Sequence, residues 1–237
     1  MKRRLAIVVT LFYVAGSASV RGEWTAGVFL GANHSDSNSI LLRQPGRDTE
    51  LLLSPVHYEG KSFTGPLYYG GRIGCYFSAA PAFGLEGEFI HAKAYAKTDM
   101  PVVAAGRRNG LAVSGQLPLR SILQSFSVSH GLNFLLVNAV TRYPIARRTI
   151  SLTARAGLGP ALAHPESTVE GLRRERYQLS GLAFQLAAGT EIRLGPRAYA
   201  FAEYKLTRVH PELNVAAGTA RTLFRSHHGI FGVGYRF

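Results

Sequence analysis

The sequence predicts an all-β protein, a single eight-stranded antiparallel up-and-down transmembrane β-barrel, and three observations carry that prediction. Of the 237 residues, 46% are hydrophobic and 11% aromatic. Beyond the N-terminus, however, no stretch approaches the roughly 18 to 20 consecutive apolar residues of a membrane helix. Apolar residues instead alternate with charged or small ones, as at the C-terminus, where Phe231, Val233, Tyr235 and Phe237 flank Gly232, Gly234 and Arg236. A period of two gives a strand one greasy face and one face that accepts charge or close packing. Such segments recur along the chain, and their connections are alternately short and long, as short periplasmic turns and long outer loops require.

The N-terminus sets the compartment. Lys2, Arg3 and Arg4 precede a short apolar run, Leu5 to Val14, and the small residues Ala15 to Ser19, which together form the pattern of a secretory signal peptide. Cleavage after Ala18 and after Gly22 both fit, and the chain divides into a leader, 1–22, and a barrel, 23–237. The lone cysteine, Cys75, excludes an internal disulfide framework and reads as a small packed or lipid-facing hydrophobe. The formal charge of +13 loses Lys2, Arg3, Arg4 and Arg21 with the leader and stays positive. On a secreted barrel the polyanion within reach is lipopolysaccharide, not nucleic acid.

Eight strands are expected in order: Trp24 to Ser35, Pro66 to Phe77, Phe83 to Tyr95, Leu132 to Tyr143, Thr149 to His164, Tyr177 to Leu194, Ala198 to Arg208 and His227 to Phe237. Ser78 to Ala82, Pro144 to Arg148 and Gly195 to Arg197 are tight turns. Asp36 to Gly65, Ala96 to Gly131, Pro165 to Arg176 and Val209 to Ser226 are long outer loops. The terminal Phe237 behind alternating hydrophobics resembles the recognition signal of bacterial outer-membrane barrels, which makes the barrel-assembly machinery an expected partner and the outer membrane the expected location.

Parity then assigns faces. Arg72, Glu86, Glu88, Arg142, Arg155, Glu191, Arg193, Glu203, Lys205 and Arg236 fall inward, and their opposite charges should pair. An eight-stranded barrel is just wide enough for side chains to fill it, so a plugged barrel is expected and not a pore. Val28, Ile73, Leu85, Val137, Leu158, Leu186 and Phe231 are among the residues that fall toward lipid, with Tyr235 and Phe237 in an aromatic girdle.

Chemistry concentrates at the outer ends of the strands. Seven of eight histidines lie there, His57 being in the first loop, and parity puts His34, His91, His164 and His227 on the lipid-facing rim with Lys93, Asn133, Glu166, Gln178 and Arg208. This belt has two readings. It is an interfacial belt that tolerates the polarity gradient, or it is a site holding a lipid head group, in which His34, His91 and His164 are candidate ligands for a divalent or redox metal. Lys61, Arg173, Arg174, Arg176 and Gln178 are candidate substrate contacts, since guanidinium forks suit phosphates. Ser129 beside His130 invites a hydrolase reading, but neighbours on a strand diverge, so a working pair would have to form across strands.

Several stretches together resemble the rhizobial lipid A oxidase family of outer-membrane barrels. They are NHSDS around His34 to Ser37, YEGKSF and PLYYGGR within Tyr58 to Arg72, FIHAKAY at Phe89 to Tyr95, HGLNFLLVNAVTRYP at His130 to Pro144, GLGPALAHPE at Gly157 to Glu166, YQLSGLAFQLAAG at Tyr177 to Gly189 and FAEYK at Phe201 to Lys205. The resemblance implies oxygen-dependent oxidation of the proximal glucosamine of lipid A to an aminogluconate unit. Geometry, not the family, supplies the catalytic candidates: His91, Lys93, Asn133, His164 and Glu166 share a rim on adjacent strands. The other class of function is a non-catalytic surface barrel with a structural, adhesin-like or lipopolysaccharide-binding role. A third, a Ser and His deacylase, would remove an acyl chain.

Overall fold

The computed structural model describes residues 22–145 and 149–237. Apart from Gly22, the leader lies outside the described residues, as does most of the turn Pro144 to Arg148. Strand β1 (Gly22–Ser35) rises to the outer side, where the chain forms β2 (Asn38–Gln44), β3 (Thr49–Val56) and the short β4 (Tyr58–Glu59). It returns as β5 (Tyr69–Phe77) and turns into β6 (Ala80–Ala96). The second excursion holds β7 (Pro101–Arg108) and β8 (Leu111–Pro118), and β9 (Leu123–Ile145) descends from it. Strand β10 (Ile150–Val169) continues above the barrel into β11 (Leu172–Glu175), and β12 (Gln178–Arg193) and β13 (Ala198–Val209) follow. The fourth excursion carries β14 (Glu212–Val215) and β15 (Gly218–Arg221) before β16 (Phe224–Arg236) closes the chain.

The ladders form a ring. Pairing runs β1, β5, β6, β9, β10, β12, β13, β16 and back to β1, always antiparallel, so among the described residues the wall has eight strands and no free edge. These are the eight strands expected from alternation, with shifted ends: β9 begins nine residues before Leu132, at Leu123, β10 runs five residues past His164, to Val169, and β5, β6 and β16 start three residues from the expected positions. Outward side chains form an apolar belt: Val28, Ile73, Leu85, Val137, Leu158, Leu186 and Phe231 are all exposed. Trp24, Tyr143, Tyr235 and Phe237 are exposed aromatics near the periplasmic ends of their strands. In water this belt would be a large apolar patch without cover, and in a bilayer it is the surface that faces lipid. The fold is that of a membrane-spanning β-barrel.

The lumen is filled. Arg155 lies 3.0 Å from Glu86 and 2.5 Å from Glu203, Arg72 lies 2.7 Å from Glu203, and Lys205 contacts both Glu88 and, at 3.2 Å, Glu203. Nearer the periplasm Arg236 meets Glu191 at 3.1 Å, and Arg142 meets Glu23 at 2.7 Å, a carboxylate that parity had not counted. Arg193, expected among these inward charges, is instead exposed at the periplasmic recess that Arg142 and Arg236 also line. Above the ionic layer the plug becomes aromatic. His228 takes Thr207 on Nε2 at 2.8 Å and Tyr68 on Nδ1 at 3.1 Å, with Phe134 edge-on to its ring. Gly70 makes room for this layer, since a Cβ there would stand 2.2 Å from the Phe29 ring.

The outer excursions are not irregular. Strands β14, β15, β2, β3, β7 and β8 make a second, six-stranded sheet in that order. Ile40, Leu42, Leu51, Leu53, Val102 and Ala104 are its buried face, and they join one core with Phe126, Val128 and Val169 of the part of β9 and β10 that rises above the barrel. Side chains pin the excursions together: Gln44 Nε2 donates to Ala216 O at 2.8 Å, and the Glu170 carboxylate accepts from Arg47 and, at 2.9 Å, from Arg108.

Candidate functional site

The polar site stands on the outer wall, where β6, β9 and β10 leave the apolar belt. Along each strand the outward side chain changes from apolar to polar within one pleat: Phe89 gives way to His91, Leu135 to Asn133 and Leu162 to His164. His91 and Asn133 are register partners, and His91 Nδ1 and Asn133 Oδ1 are 2.8 Å apart. The ring of Tyr69 stacks on His91 with centroids 5.0 Å apart.

The next row is built by an irregularity in β9. Ala92 and Ala94 of β6 pair with Leu132 and Val128, and so do Ala163 and Pro165 of β10, so β9 carries two more residues than either neighbour over this step. Ser129, His130 and Gly131 form that bulge, and Gly131 takes φ +122, a conformation that a side chain would strain. A Cβ at Gly131 would also lie 2.5 Å from the Asn133 amide. Freed from strict alternation, Ser129 Oγ and His130 Nδ1 both contact Glu166 Oε1, and they lie 3.1 Å from each other. His164 stands edge-on to His130 at 5.0 Å between centroids, with its Nδ1 3.8 Å from Glu166 Oε1. Tyr177 packs over His164 at 4.2 Å and donates its hydroxyl to His130 O.

Electrostatics keep Glu166 ionised. Burial pushes its carboxyl up, but the hydrogen bonds from Ser129 and His130 and the nearby imidazoles outweigh that cost and hold it below the ordinary carboxylate value. The ligand atoms of His130, His164 and Glu166 all lie within 4.8 Å of one another, a spacing that suits a metal ion. The same geometry argues against a Ser-His-acid relay. A relay needs the acid and the serine on opposite ring nitrogens, whereas here both contact Nδ1 of His130.

The rim residues expected from parity divide into two groups. His91 and Asn133 form one pair across β6 and β9, while His164 and Glu166 form a separate group with Ser129, His130 and Tyr177. Strict alternation had not assigned those three to the site; the signal was Gly131 behind Ser129 and His130, since glycine inside an alternating strand marks a bulge. His91 and His164 are not open to lipid, however; they are 5% and 8% exposed, beneath Tyr69 and Tyr177. Lys93, 1% exposed, is also roofed and donates Nζ to Thr64 O at 2.7 Å. The expected metal set His34, His91 and His164 does not converge, because β5 separates His34 from His91 and β9 separates His91 from His164.

His34 belongs to a second polar group on the opposite side of the seam. It pairs in register with His227, whose ring bridges Tyr204 and Asp36, while Asp36 also accepts from Arg225. Burial raises the Asp36 carboxyl, and the hydrogen bonds and charges of Arg225 and His227 together bring it below its ordinary value. The candidate substrate contacts are scattered. Lys61 is held by Glu59 at 3.0 Å and lies over the Tyr95 ring, Arg173 pairs with Glu175, and Arg174 and Arg176 are exposed. Gln178 is a structural pin, donating to Glu212 O at 2.7 Å and accepting from Asn214 N at 2.9 Å.

No family model matches the chain, and no curated protein matches it in sequence. Solved structures match in shape. Neisserial surface protein A has 11% identity and a TM-score of 0.44, with 91% of this chain and 97% of that chain covered. The outer membrane protein OprG from Pseudomonas aeruginosa has 13% identity and a TM-score of 0.45, covering 91% and 96%. The attachment invasion locus protein Ail of Yersinia pestis, solved with the heparin analogue sucrose octasulfate, has 16% identity and a TM-score of 0.39, covering 91% and 99%. The likeness is one of small barrels as shapes, and the chemistry of the site rests on this chain's own residues.

Proposed function

We propose that the protein is an outer-membrane enzyme that oxidises the proximal glucosamine of lipid A to 2-aminogluconate. The observation that carries the proposal is the position of the His130, His164 and Glu166 group: outside the barrel, one pleat beyond the apolar belt, at the level where lipid head groups meet the wall. A filled lumen leaves the outer wall as the place for chemistry. The sequence stretches that resemble the lipid A oxidase family contribute much of this site, since FIHAKAY holds His91 and Lys93, HGLN holds His130 and Asn133, and AHPE holds His164 and Glu166.

In this reading a lipid A molecule stands with its acyl chains along Phe89, Leu135 and Leu162 and its sugar at the rim. Dioxygen takes two electrons and two protons from the anomeric carbon and its hydroxyl, giving a lactone and hydrogen peroxide, and water opens the lactone to the acid. Such a reaction needs a free anomeric hydroxyl. Dioxygen chemistry on a sugar also needs a redox group. A non-catalytic binding barrel is the second reading, and the structured outer sheet, with β8 almost wholly exposed along one edge, favours it.

The test is mass spectrometry of lipid A from aerobic cells that make lipid A without a 1-phosphate, with and without this protein. A gain of one oxygen supports the oxidase. Loss of an acyl chain points to a deacylase, and an unchanged lipid A with folded, surface-exposed protein points to the binding role.

A further inference from the structure

We infer that His130, His164 and Glu166 bind one divalent transition-metal ion on the outer wall of the barrel. The inference takes its site from the proposed function but does not depend on the oxidation. Two imidazoles and one carboxylate leave coordination positions open to a substrate, which is the donor set of non-haem iron(II) and of catalytic zinc sites.

Two independent observations support it. First, the ligand atoms fall within 4.8 Å of one another, and ligands at about 2.0 to 2.1 Å from a tetrahedral ion are about 3.3 Å apart, so short side-chain movements bring them onto one centre. Secondly, the His164 side chain is nine-tenths buried and its Nδ1 has no hydrogen-bond partner among the described residues, although it points at the Glu166 carboxylate. A buried imidazole nitrogen without a partner is costly unless something other than the protein satisfies it. Outer contacts of the kind that orient metal ligands are also in place, from Ser129 to Glu166 and from Tyr177 to the His130 backbone and the His164 ring.

Cobalt(II) serves as the probe, because its visible absorption reports a protein-bound site directly. The full-length folded barrel in detergent, stripped with chelator and titrated with cobalt(II), should bind one equivalent with a new visible band. His164→Ala and the isosteric Glu166→Gln should each weaken binding by about 100-fold or more. His57→Ala, which touches Ser37 and not this group, should bind as the wild type does. Folding of each variant is checked by the mobility difference between unheated and heated samples on a gel. Folded wild type that takes up no cobalt, or folded Glu166→Gln that retains wild-type affinity, would overturn the inference. Metal binding without lipid A oxidation would leave the metal site standing and sink the oxidase. Oxidation by a demonstrably metal-free barrel would do the reverse.

Discussion

The lumen and the outer rim hold the same kinds of side chain under opposite conditions. In the lumen, Arg72, Arg155 and Lys205 surround Glu86, Glu88 and Glu203, and every charge has an opposite charge beside it. At the rim, His164 and His91 are buried to a similar degree, and among the described residues Nδ1 of one and Nε2 of the other lack a hydrogen-bond partner; Arg72 Nε and Glu203 Oε2 in the lumen lack one too, but each has a counter-charge beside it, Glu86 at 3.6 Å and Lys205 at 3.2 Å. Paired burial gives a rigid plug that does nothing further. Burial that leaves ligand atoms unused is the arrangement expected where another molecule is to complete the set.

The two regions should therefore respond differently to mutation. The largest effect is expected in the lumen. Glu203→Ala removes the carboxylate that Arg72, Arg155 and Lys205 share and leaves excess positive charge around Glu86 and Glu88 in a closed space, and breaking buried pairs of this kind costs about 3 to 5 kcal/mol. Its barrel should unfold at a markedly lower temperature, read by loss of the fast-migrating form on unheated gels, and an unchanged transition would show that the lumen charges are not coupled.

His164→Ala should leave that transition within a few degrees while lowering product formation by about 100-fold, equivalent to about 2.7 kcal/mol of barrier. Equal losses of stability and activity would erase the distinction between plug and site. Gly131→Ala sharpens the comparison, because it disturbs only the bulge that delivers Ser129 and His130. Placing a Cβ at φ +122 against Asn133 should cost about tenfold in activity, with folding retained.

The smallest effect concerns the outer sheet. Burial raises the Glu170 carboxyl, but hydrogen bonds from Arg108 and Arg47 hold it below its ordinary value. A depressed folded value means that the contact contributes fully above the unfolded carboxylate value and is lost as pH falls through the folded one. Below about pH 4 the first and second excursions should thus become easier to cleave by an acid-active protease. Glu170→Gln should show the same ease of cleavage at neutral pH and no further change on acidification. A wild type equally resistant at both pH values would count against this link.

The wall was legible because alternation has only one outcome in a closed ring: once a strand's phase is known, every side chain on it is placed. The lumen charges followed for the same reason, apart from Arg193 at the mouth. Phase is also what failed at the site. Beyond Leu132 strict alternation places Ser129 and His130 on opposite faces, whereas the two-residue bulge brings both onto Glu166. The roofing of His91, Lys93 and His164 comes from Tyr69, Thr64 and Tyr177, which approach from other strands or a loop, and local pattern does not encode such tertiary cover. The outer sheet left a clearer trace. Ile40 and Leu42, then Leu51 and Leu53, alternate on either side of Pro45, Gly46, Arg47 and Asp48, a hairpin pattern within a stretch expected to be loop.

The most direct measurement exposes lipid A with a free anomeric hydroxyl to purified, folded, metal-supplied protein in air and follows the mass of the disaccharide, with His164→Ala in parallel. The expected result is a gain of one oxygen with the wild type and almost none with the variant. Unchanged lipid A with the wild type, or equal product with His164→Ala, would contradict a catalytic site on the outer rim.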